Sequence, residues 1–238
     1  MQLRQQTVVV AGGSSGVGLA VVKRAAAAGA RVIALGRSEA RLKAALEGLG
    51  DPVSGVAMDA TDRAALDGFF ARSGPIDHLV ITLSGGEGAG AFAQLDLQAL
   101  RRGFEAKFWP QLQTAQAALP ALRPGGSITF VTAVSARIAR PGTAGLGAIN
   151  GALEAMVGSL ARELAPSRVN AVSPGVIDTE WWSGKPELKQ QVFEEQARTL
   201  PVARVGRADE VAHTVQFLLE NGFVTGVVVE CDGGLHLL

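Results

Sequence analysis

The stretch TVVVAGGSSGVG, residues 7–18, decides the fold of this chain. A short apolar run passes into a turn in which Gly12, Gly16 and Gly18 are spaced apart, and residues at helical spacing follow. Such glycines allow the chain to turn tightly, to approach a ligand closely and to pack a helix against a strand. The helix that begins near Ser15 also points its free N–H groups and its positive dipole end at this turn. The stretch therefore predicts an anion-binding turn. Its residues are Gly12, Ser14, Ser15, Gly16, Val17 and Gly18.

The rest of the chain repeats this alternation of apolar runs and helical patterns. The runs are continuously apolar, which is typical of parallel strands covered by helices on both faces. Seven such runs predict a doubly wound α/β Rossmann fold with a seven-stranded parallel sheet, built as a single domain over residues 1–238. The predicted strands are residues 7–11, 31–35, 53–58, 78–82, 127–132, 168–172 and 226–230.

One polar segment, residues 178–206, interrupts the alternation and contains Trp181 and Trp182. An insertion after the carboxyl end of a strand is in place to cover a ligand crevice, so a lid is one interpretation. An ordinary surface loop with a helix is the other. The two tryptophans fit an apolar cover and simple packing equally well.

The end of the second predicted strand indicates which dinucleotide the turn would hold. An acidic residue there binds the adenosine ribose 2′-hydroxyl and favours NAD. This chain has Arg37 and Ser38 instead, a forked cation and a hydroxyl that suit a 2′-phosphate. We therefore predict NADP(H) in preference to NAD(H). The alternative is that Arg37 is only a solvated residue at the start of the next helix.

The third predicted strand leads into AMDATD, residues 57–62. Asp59, followed by Ala60, is placed to accept a hydrogen bond from the adenine amino group. It could equally cap the next helix, although Thr61 or Asp62 is better placed for that role.

The totals exclude several classes of protein. Lys+Arg 22 equals Asp+Glu 22 in 238 residues, so no net field attracts nucleic acid or an anionic membrane. One cysteine and three scattered histidines predict neither an internal disulfide nor a metal site. No signal peptide is expected at the start, and no run approaches the ~20 apolar residues of a membrane span. We expect a cytoplasmic protein with a small-molecule ligand.

Together the motifs resemble those of the short-chain dehydrogenase/reductase family over nearly the full chain. AGGSSGVG (11–18) is similar to the family's T-G-x-x-x-G-x-G, with Ala11 in place of Thr. RVNAVSPGVIDT (168–179) is similar to its R-V-N-x-V-x-P-G-x-x-x-T, and the segments 200–219 and 225–234 resemble its C-terminal helix and last strand. The resemblance implies a nicotinamide cofactor and oxidoreductase activity on carbonyls or alcohols.

Two further segments correspond to cofactor-binding parts of the family. Its N-N-A-G is replaced here by residues 81–84, and the glycine-rich GGEGAG (85–90) that follows still allows close approach of a cofactor. The P-G-x-x-x-T loop is intact. The cofactor contacts that the resemblance implies in these segments are Leu83, Ser84, Gly85, Pro174, Gly175, Val176 and Thr179.

The resemblance breaks at the four catalytic side chains. The family uses a Tyr as proton donor and a Lys four residues later, which binds the nicotinamide ribose and lowers the pKa of the Tyr. A Ser orients the substrate oxygen, and an Asn holds a relay water. The Tyr and Lys positions fall here on Leu146 and Asn150, and the Ser and Asn positions on Ala133 and Lys107. The chain contains no tyrosine, so no shift of the alignment restores one.

The Asn and Lys positions are thus filled by an exchanged pair, which suggests replacement of the chemistry. We hypothesise that the Lys107 ammonium reaches the space of the family's Lys, and that Asn150 hydrogen-bonds the ribose or Lys107. A solvated helix lysine is the alternative for Lys107.

Three functions remain open at this stage. The first is an NADP-dependent oxidoreductase with an unorthodox proton donor, such as water or Lys107. The second is a non-catalytic NADP(H)-binding sensor or regulatory subunit. The third is a scaffold subunit that binds no nucleotide, which the intact glycines disfavour. For all three we expect a homo-dimer or homo-tetramer, because the helical segments 96–121 and 143–165 are too apolar for solvent on their outer faces.

Overall fold

Residues 3–238 are described by a computed structural model, in which seven parallel strands form one sheet. These strands are β1 (Thr7–Ala11), β2 (Arg31–Gly36), β3 (Val53–Ala57), β4 (Ile76–Ile81), β5 (Leu122–Val131), β6 (Arg168–Pro174) and β9 (Val228–Cys231). The helices are α1 (Gly16–Ala27), α2 (Glu39–Leu46), α3 (Arg63–Ser73), α4 (Leu97–Ala118), α5 (Ala144–Glu163), α6 (Pro186–Thr199) and α7 (Ala208–Glu220). The predicted doubly wound Rossmann fold is confirmed.

The strand order across the sheet is β3-β2-β1-β4-β5-β6-β9. The chain therefore runs outward from β1 in one direction, returns to the centre at β4 and continues in the other. In doubly wound sheets a ligand crevice opens at this reversal, outside the carboxyl ends of the strands. The loops after β1 and β4 both lie there.

The core explains why the strands are continuously apolar. Val8 and Val10 of β1 belong to the buried cluster beneath α1 and α7, whereas Val9 and Ala11 belong to the cluster beneath α3, α4 and α5. Successive side chains of a strand point to opposite faces, so a sheet covered on both faces must be apolar at every position.

The predicted strand limits are wrong at β5, which begins at Leu122 rather than at residue 127. Leu122 pairs with Ile76, and the register shifts before Ser127 pairs with His78. A Pro-Gly-Gly run at residues 124–126 occupies the shift, and such a run is typical of a turn. A Cβ at Gly126 would lie 2.4 Å from the carbonyl oxygen of Asp77, so the bulge requires glycine.

Helix α5 corrects the expectation that no apolar segment of the chain approaches the length of a membrane span. Its 20 residues, Ala144–Glu163, are long and apolar enough to cross a membrane by length and composition alone. Leu153 and Val157, however, are buried in the core between the sheet and α4. One face of α5 is therefore packed within the fold, although only 33% of its apolar 18-residue stretch is buried inside the chain.

The polar segment 178–206 forms a small layer beside the main sheet. It contains α6, and its ends belong to two short strands, β7 (Ile177–Asp178) and β8 (Gly206–Arg207), that pair in parallel. The pairing brings the two ends of the segment together, so residues 179–205 project as one unit from the carboxyl edge of the sheet.

Candidate functional site

A cleft of about 1360 Å³ opens at the carboxyl edge of the sheet, where the strand order reverses. Its floor comes from the ends of β1, β4, β5 and β6. One wall is the segment 179–192, including Trp181, Trp182, Leu188 and Val192. The segment predicted as a lid or a surface loop therefore borders the crevice. All the residues predicted to form the site line this one cleft.

The glycine turn after β1 is built by contacts that leave no space for a Cβ. A Cβ on Gly18 would lie 2.1 Å from the carbonyl oxygen of Gly12, and Gly12 itself has φ +89°. Thr82, at the end of β4, donates its hydroxyl to the carbonyl oxygens of Ala11 at 2.9 Å and Gly12 at 3.2 Å. This threonine, which stands in the family's second N-N-A-G position, holds the turn from the neighbouring strand.

Helix α1 begins at Gly16 with Ser15 as its N-cap, as predicted, but the Ser15 side chain makes no capping hydrogen bond. Ser15 therefore leaves the first-turn N–H groups to other acceptors. The Gly16 N–H donates to Glu180 Oε2 at 2.9 Å, although the two residues are 164 positions apart in the chain. No sequence pattern predicts this contact.

The adenosine end of the cleft contains two arginines. Arg37 is exposed after β2, and Arg41, which the sequence reasoning missed, lines the same region one helical turn later. The Ser38 hydroxyl accepts from the Arg41 N–H at 3.3 Å and so caps α2. The spacing of two arginines in GRSEAR was the available signal for Arg41.

Asp59 and Asp62 divide the roles that the sequence left open. Asp62 is the N-cap of α3 and accepts from the Ala65 N–H at 3.0 Å. Asp59 accepts from the N–H and the hydroxyl of Thr61, both at 2.9 Å. These hydrogen bonds, with help from the nearby Arg37 cation, lower the pKa of Asp59. Asp59 thus remains an ionised acceptor beside the cleft, not a helix cap.

The nicotinamide end is organised by α4 through a residue that the sequence reasoning also missed. Gln111 is fully buried, and its Nε2 donates to the carbonyl oxygens of Leu83 at 2.7 Å and Val131 at 3.2 Å. It therefore ties the loop after β4 to the end of β5. On the opposite side, a Cβ at Gly175 would lie 2.8 Å from Asp232 Cα, so the P-G turn also needs its glycine.

Lys107 points into the protein and not into solvent, which excludes the solvated alternative. The residue is only 7% exposed, and its Nζ donates to the carbonyl oxygen of Thr132 at 2.9 Å. Thr132 directly precedes Ala133 at the end of β5. Burial lowers the pKa of Lys107 to about 8, and the negative charge of Glu154 opposes that shift.

Glu154 connects Lys107 to a wider charged network. Its Oε1 accepts from the Thr132 hydroxyl at 2.7 Å, and its Oε2 accepts from Arg137 Nε at 3.0 Å. Arg137 also pairs with Glu230 of β9 at 3.0 Å. The Glu154 side chain is 9% exposed, so its charge is poorly screened. Two turns of α5 separate Glu154 from Leu146, which places both on the helix face toward β5.

Asn150 is buried, but it does not bond to Lys107 as hypothesised. Its Nδ2 donates to Ser135 Oγ at 3.0 Å and to the carbonyl oxygen of Leu146 at 2.9 Å. Its Oδ1 is buried, and no hydrogen-bond partner for it exists among residues 3–238. A buried acceptor without a partner is costly. Asn150 lines the cleft as a residue, but its amide is fixed by Ser135 and the Leu146 carbonyl, and its Oδ1 is shielded from the cleft.

Ala133 and Leu146 also line the cleft, near Lys107 and Asn150. Neither side chain can move a proton. Of the four positions that the resemblance assigns to chemistry, only Lys107 carries an ionisable group. The cleft therefore combines a turn suited to a dinucleotide with a single buried ammonium, and it is the site of a dinucleotide-binding α/β protein.

Comparisons with known proteins agree with this class. The family model described as Enoyl-(Acyl carrier protein) reductase matches residues 11–236. The 2,3-dihydroxy-2,3-dihydro-p-cumate dehydrogenase of Pseudomonas putida is 30% identical over 256 residues, which cover 100% of this chain and 97% of that one. The 3-oxoacyl-[acyl-carrier-protein] reductase of Rattus norvegicus is 31% identical and covers 96% of this chain and 97% of its own.

Solved structures show the same relationship. A small-chain dehydrogenase crystallised in complex with NADPH superposes with a TM-score of 0.84 at 30% identity, covering 98% of this chain and 99% of its own. A short-chain dehydrogenase/reductase from Brucella melitensis gives a TM-score of 0.90 at 30% identity, covering 98% of both chains. The protein belongs to the short-chain dehydrogenase/reductase family.

The buried ammonium makes a prediction about stability. The folded state holds the Lys107 proton less tightly than the unfolded chain does, because its pKa is lowered from 10.5 to about 8. Between these pH values the unfolded chain binds more protons than the folded protein does. The free energy of unfolding therefore rises with pH. Lys107→Met removes this dependence. Relative to that variant, the free energy of unfolding of the wild type should increase by up to about 3 kcal/mol between pH 7 and pH 10.

Urea unfolding of the wild type and Lys107→Met at both pH values measures this difference. Lys43→Met, which removes an exposed lysine from α2, is the control and should differ from the wild type equally at both. If the free energy of unfolding changed with pH by the same amount in the wild type and in Lys107→Met, the Lys107 ammonium would not be desolvated.

Proposed function

We propose that the protein is an NADP(H)-dependent oxidoreductase that interconverts a small carbonyl compound and its alcohol, with Lys107 carrying the proton. One observation supports this proposal above the others. The buried ammonium of Lys107 lies beside Ala133 in the cleft, where the family's acid–base groups belong. A scaffold that had lost its chemistry would have no reason to keep a desolvated charge there, since burying an ammonium costs stability.

The residues of the cleft suit a dinucleotide along its length. The glycine turn excludes side chains where a pyrophosphate would approach, and Arg37 and Arg41 supply cations for a 2′-phosphate. When bound, the nicotinamide cofactor supplies or accepts the hydride. The protein must position the substrate, exclude water and move the proton.

Lys107 is suited to the proton transfer by its environment. In reduction its ammonium would donate a proton to the carbonyl oxygen, and in oxidation its neutral amine would accept one from the hydroxyl. A pKa of about 8 populates both forms near neutral pH, which favours general acid–base catalysis. The Thr132 carbonyl fixes one N–H of the ammonium, leaving two for a substrate or water.

We infer the substrate class from the family and from the walls of the cleft. The relatives include a dehydrogenase and a reductase, which are the two directions of such a reaction. Trp181, Leu188 and Val192 make the outer wall apolar. We therefore infer a substrate with an apolar body and a single reacting oxygen.

A non-catalytic NADP(H)-binding sensor or regulatory subunit is the second candidate. The observation that favours it is the pair Ala133 and Leu146, which removes the substrate-orienting hydroxyl and the phenol at once. The two functions differ in one measurable respect. An enzyme would oxidise the reduced cofactor with at least one compound in a broad panel of carbonyl substrates. A sensor would bind the cofactor without oxidising it.

We expect cofactor titration to show selectivity set by charge. The wild type should bind NADPH more tightly than NADH, because Arg37 would pair with the 2′-phosphate. Arg37→Ala should weaken NADPH binding about 10- to 100-fold and leave NADH binding unchanged. Calorimetric titration of both variants with both cofactors measures this. Arg72→Ala, at an exposed position on α3 outside the cleft, is the control. Equal affinities for the two cofactors would reject the preference for NADP(H).

The pH dependence of turnover tests the role of Lys107. Carbonyl reduction should fall as pH rises through about 8, because Lys107 loses its proton, and alcohol oxidation should rise over the same range. Glu154 raises the pKa of Lys107, so Glu154→Gln should shift both midpoints to lower pH. Glu163→Gln, the same substitution at an exposed position of α5, should shift neither midpoint.

Lys107→Met should lower the rate of carbonyl reduction about 10²–10⁴-fold. An unchanged rate would assign the proton transfer to another group.

We also propose that the protein is a homo-dimer or homo-tetramer. Trp109 of α4 is 43% exposed, and Phe223, after α7, is fully exposed. Only 33% of the apolar 18-residue stretch of α5 is buried within the chain. Together with these side chains, it leaves apolar surface that a partner would cover. Light scattering should give a mass of two or four chains, and Trp109→Ser or Phe223→Ser should lower it. A monomeric wild type would contradict this proposal.

A further inference from the structure

A short strap, defined as residues 179–182, borders the cleft between β7 and α6. The Thr179 hydroxyl accepts from the Trp181 N–H at 3.4 Å and caps the single helical turn that the strap forms. The strap lies against the glycine turn, since a Cβ at Gly16 would be 3.5 Å from Thr179 Cβ. It also lies beside the loop after β4, because Trp181 lies close to Gly86.

The contact between the strap and the glycine turn is a hydrogen bond from a backbone N–H to a carboxylate. Glu180 Oε2 accepts from the Gly16 N–H at 2.9 Å, at the positive end of α1. A carboxylate at a helix N-terminus is stabilised by the dipole and by the free N–H groups. Those are the same interactions that a helix N-terminus offers to a phosphate.

The carboxylate and a cofactor cannot use this donor together. A single N–H serves one strong acceptor, and two anions held at one helix end repel each other. An incoming pyrophosphate must therefore compete with Glu180 or displace it.

We propose that Glu180 is a resident anion that occupies the pyrophosphate place of the cleft, so that cofactor binding releases the strap. The proposal rests on the proposed function, because it requires that a dinucleotide binds at the glycine turn. It adds a regulatory property to that site: the protein holds its cofactor more weakly than its glycine turn allows, and binding is coupled to movement of the cleft wall.

The strap carries its own reporter for this movement. Trp181 packs edge-to-face on Trp182 with ring centroids 4.8 Å apart, and Lys185 Nζ lies 4.2 Å from the Trp181 ring centroid. Trp182 is anchored separately, since its Nε1 donates to the Ile177 carbonyl oxygen at 2.9 Å. Release of Glu180 moves Trp181 away from these neighbours and changes its fluorescence.

The test is titration of the intact protein with NADPH, in the wild type and three variants. Glu180→Gln removes the charge, and Glu180→Ala removes both charge and acceptor. Asp178→Asn is the matched control, because it removes one negative charge from the same segment, where Asp178 pairs with Lys189 at 2.7 Å and not with the glycine turn. Glu180 is exposed, so neither substitution endangers the fold.

Both Glu180 variants should bind NADPH about 5- to 30-fold more tightly than the wild type, and Asp178→Asn should match the wild type. The fluorescence of the free Glu180→Ala variant should already resemble that of the wild type bound to NADP⁺, because the oxidised cofactor does not absorb tryptophan emission.

Three results would overturn the proposal, and they differ in what they reject. Equal or weaker NADPH binding by the Glu180 variants would reject the resident anion and leave the proposed function standing. Equal tightening in Asp178→Asn would show that only net charge matters. Absence of NADPH binding in all four proteins would reject the proposed cofactor, and the resident anion with it.

Discussion

The close contact between Gly18 and Gly12 is the constraint on which the site depends. Without side chains there, α1 can begin directly on the end of β1, and Thr82 can hold the turn from β4. β1 and β4 are the neighbours between which the strand order reverses, so this contact sits where the crevice must open. Any Cβ at Gly18 would push the helix from the strand and close the anion site.

The second determinant of the site is the electrostatics of one lysine. Lys107 is held between a backbone carbonyl and the field of Glu154, with little solvent to screen either. Burial lowers the pKa of Lys107, and the negative charge of Glu154 limits that decrease. This balance gives a group that exchanges a proton near neutral pH in a chain without tyrosine. A phenol in the same place would need a neighbouring cation to reach that range.

The sequence predicted what depends on local pattern. Continuous apolar runs, glycine spacing and Arg37 together led to the fold, the cleft and the residues along it. The predicted start of β5 was wrong because the Pro-Gly-Gly run in this strand is typical of a turn. Only the pairing with β4 shows that the strand continues through it. Contacts between distant residues were out of reach: Lys107 with Thr132, Thr132 with Glu154, and Gly16 with Glu180. No spacing rule connects side chains that meet only through the packing of the sheet.

The claim that Lys107 carries the proton is tested most directly by nuclear magnetic resonance of the protein labelled in its lysine side chains. The signal missing from Lys107→Met assigns the residue, and its chemical shift is followed as pH is raised. We predict a titration midpoint near 8 for Lys107. A midpoint near the ordinary value of 10.5 would show a solvated ammonium and would contradict the account.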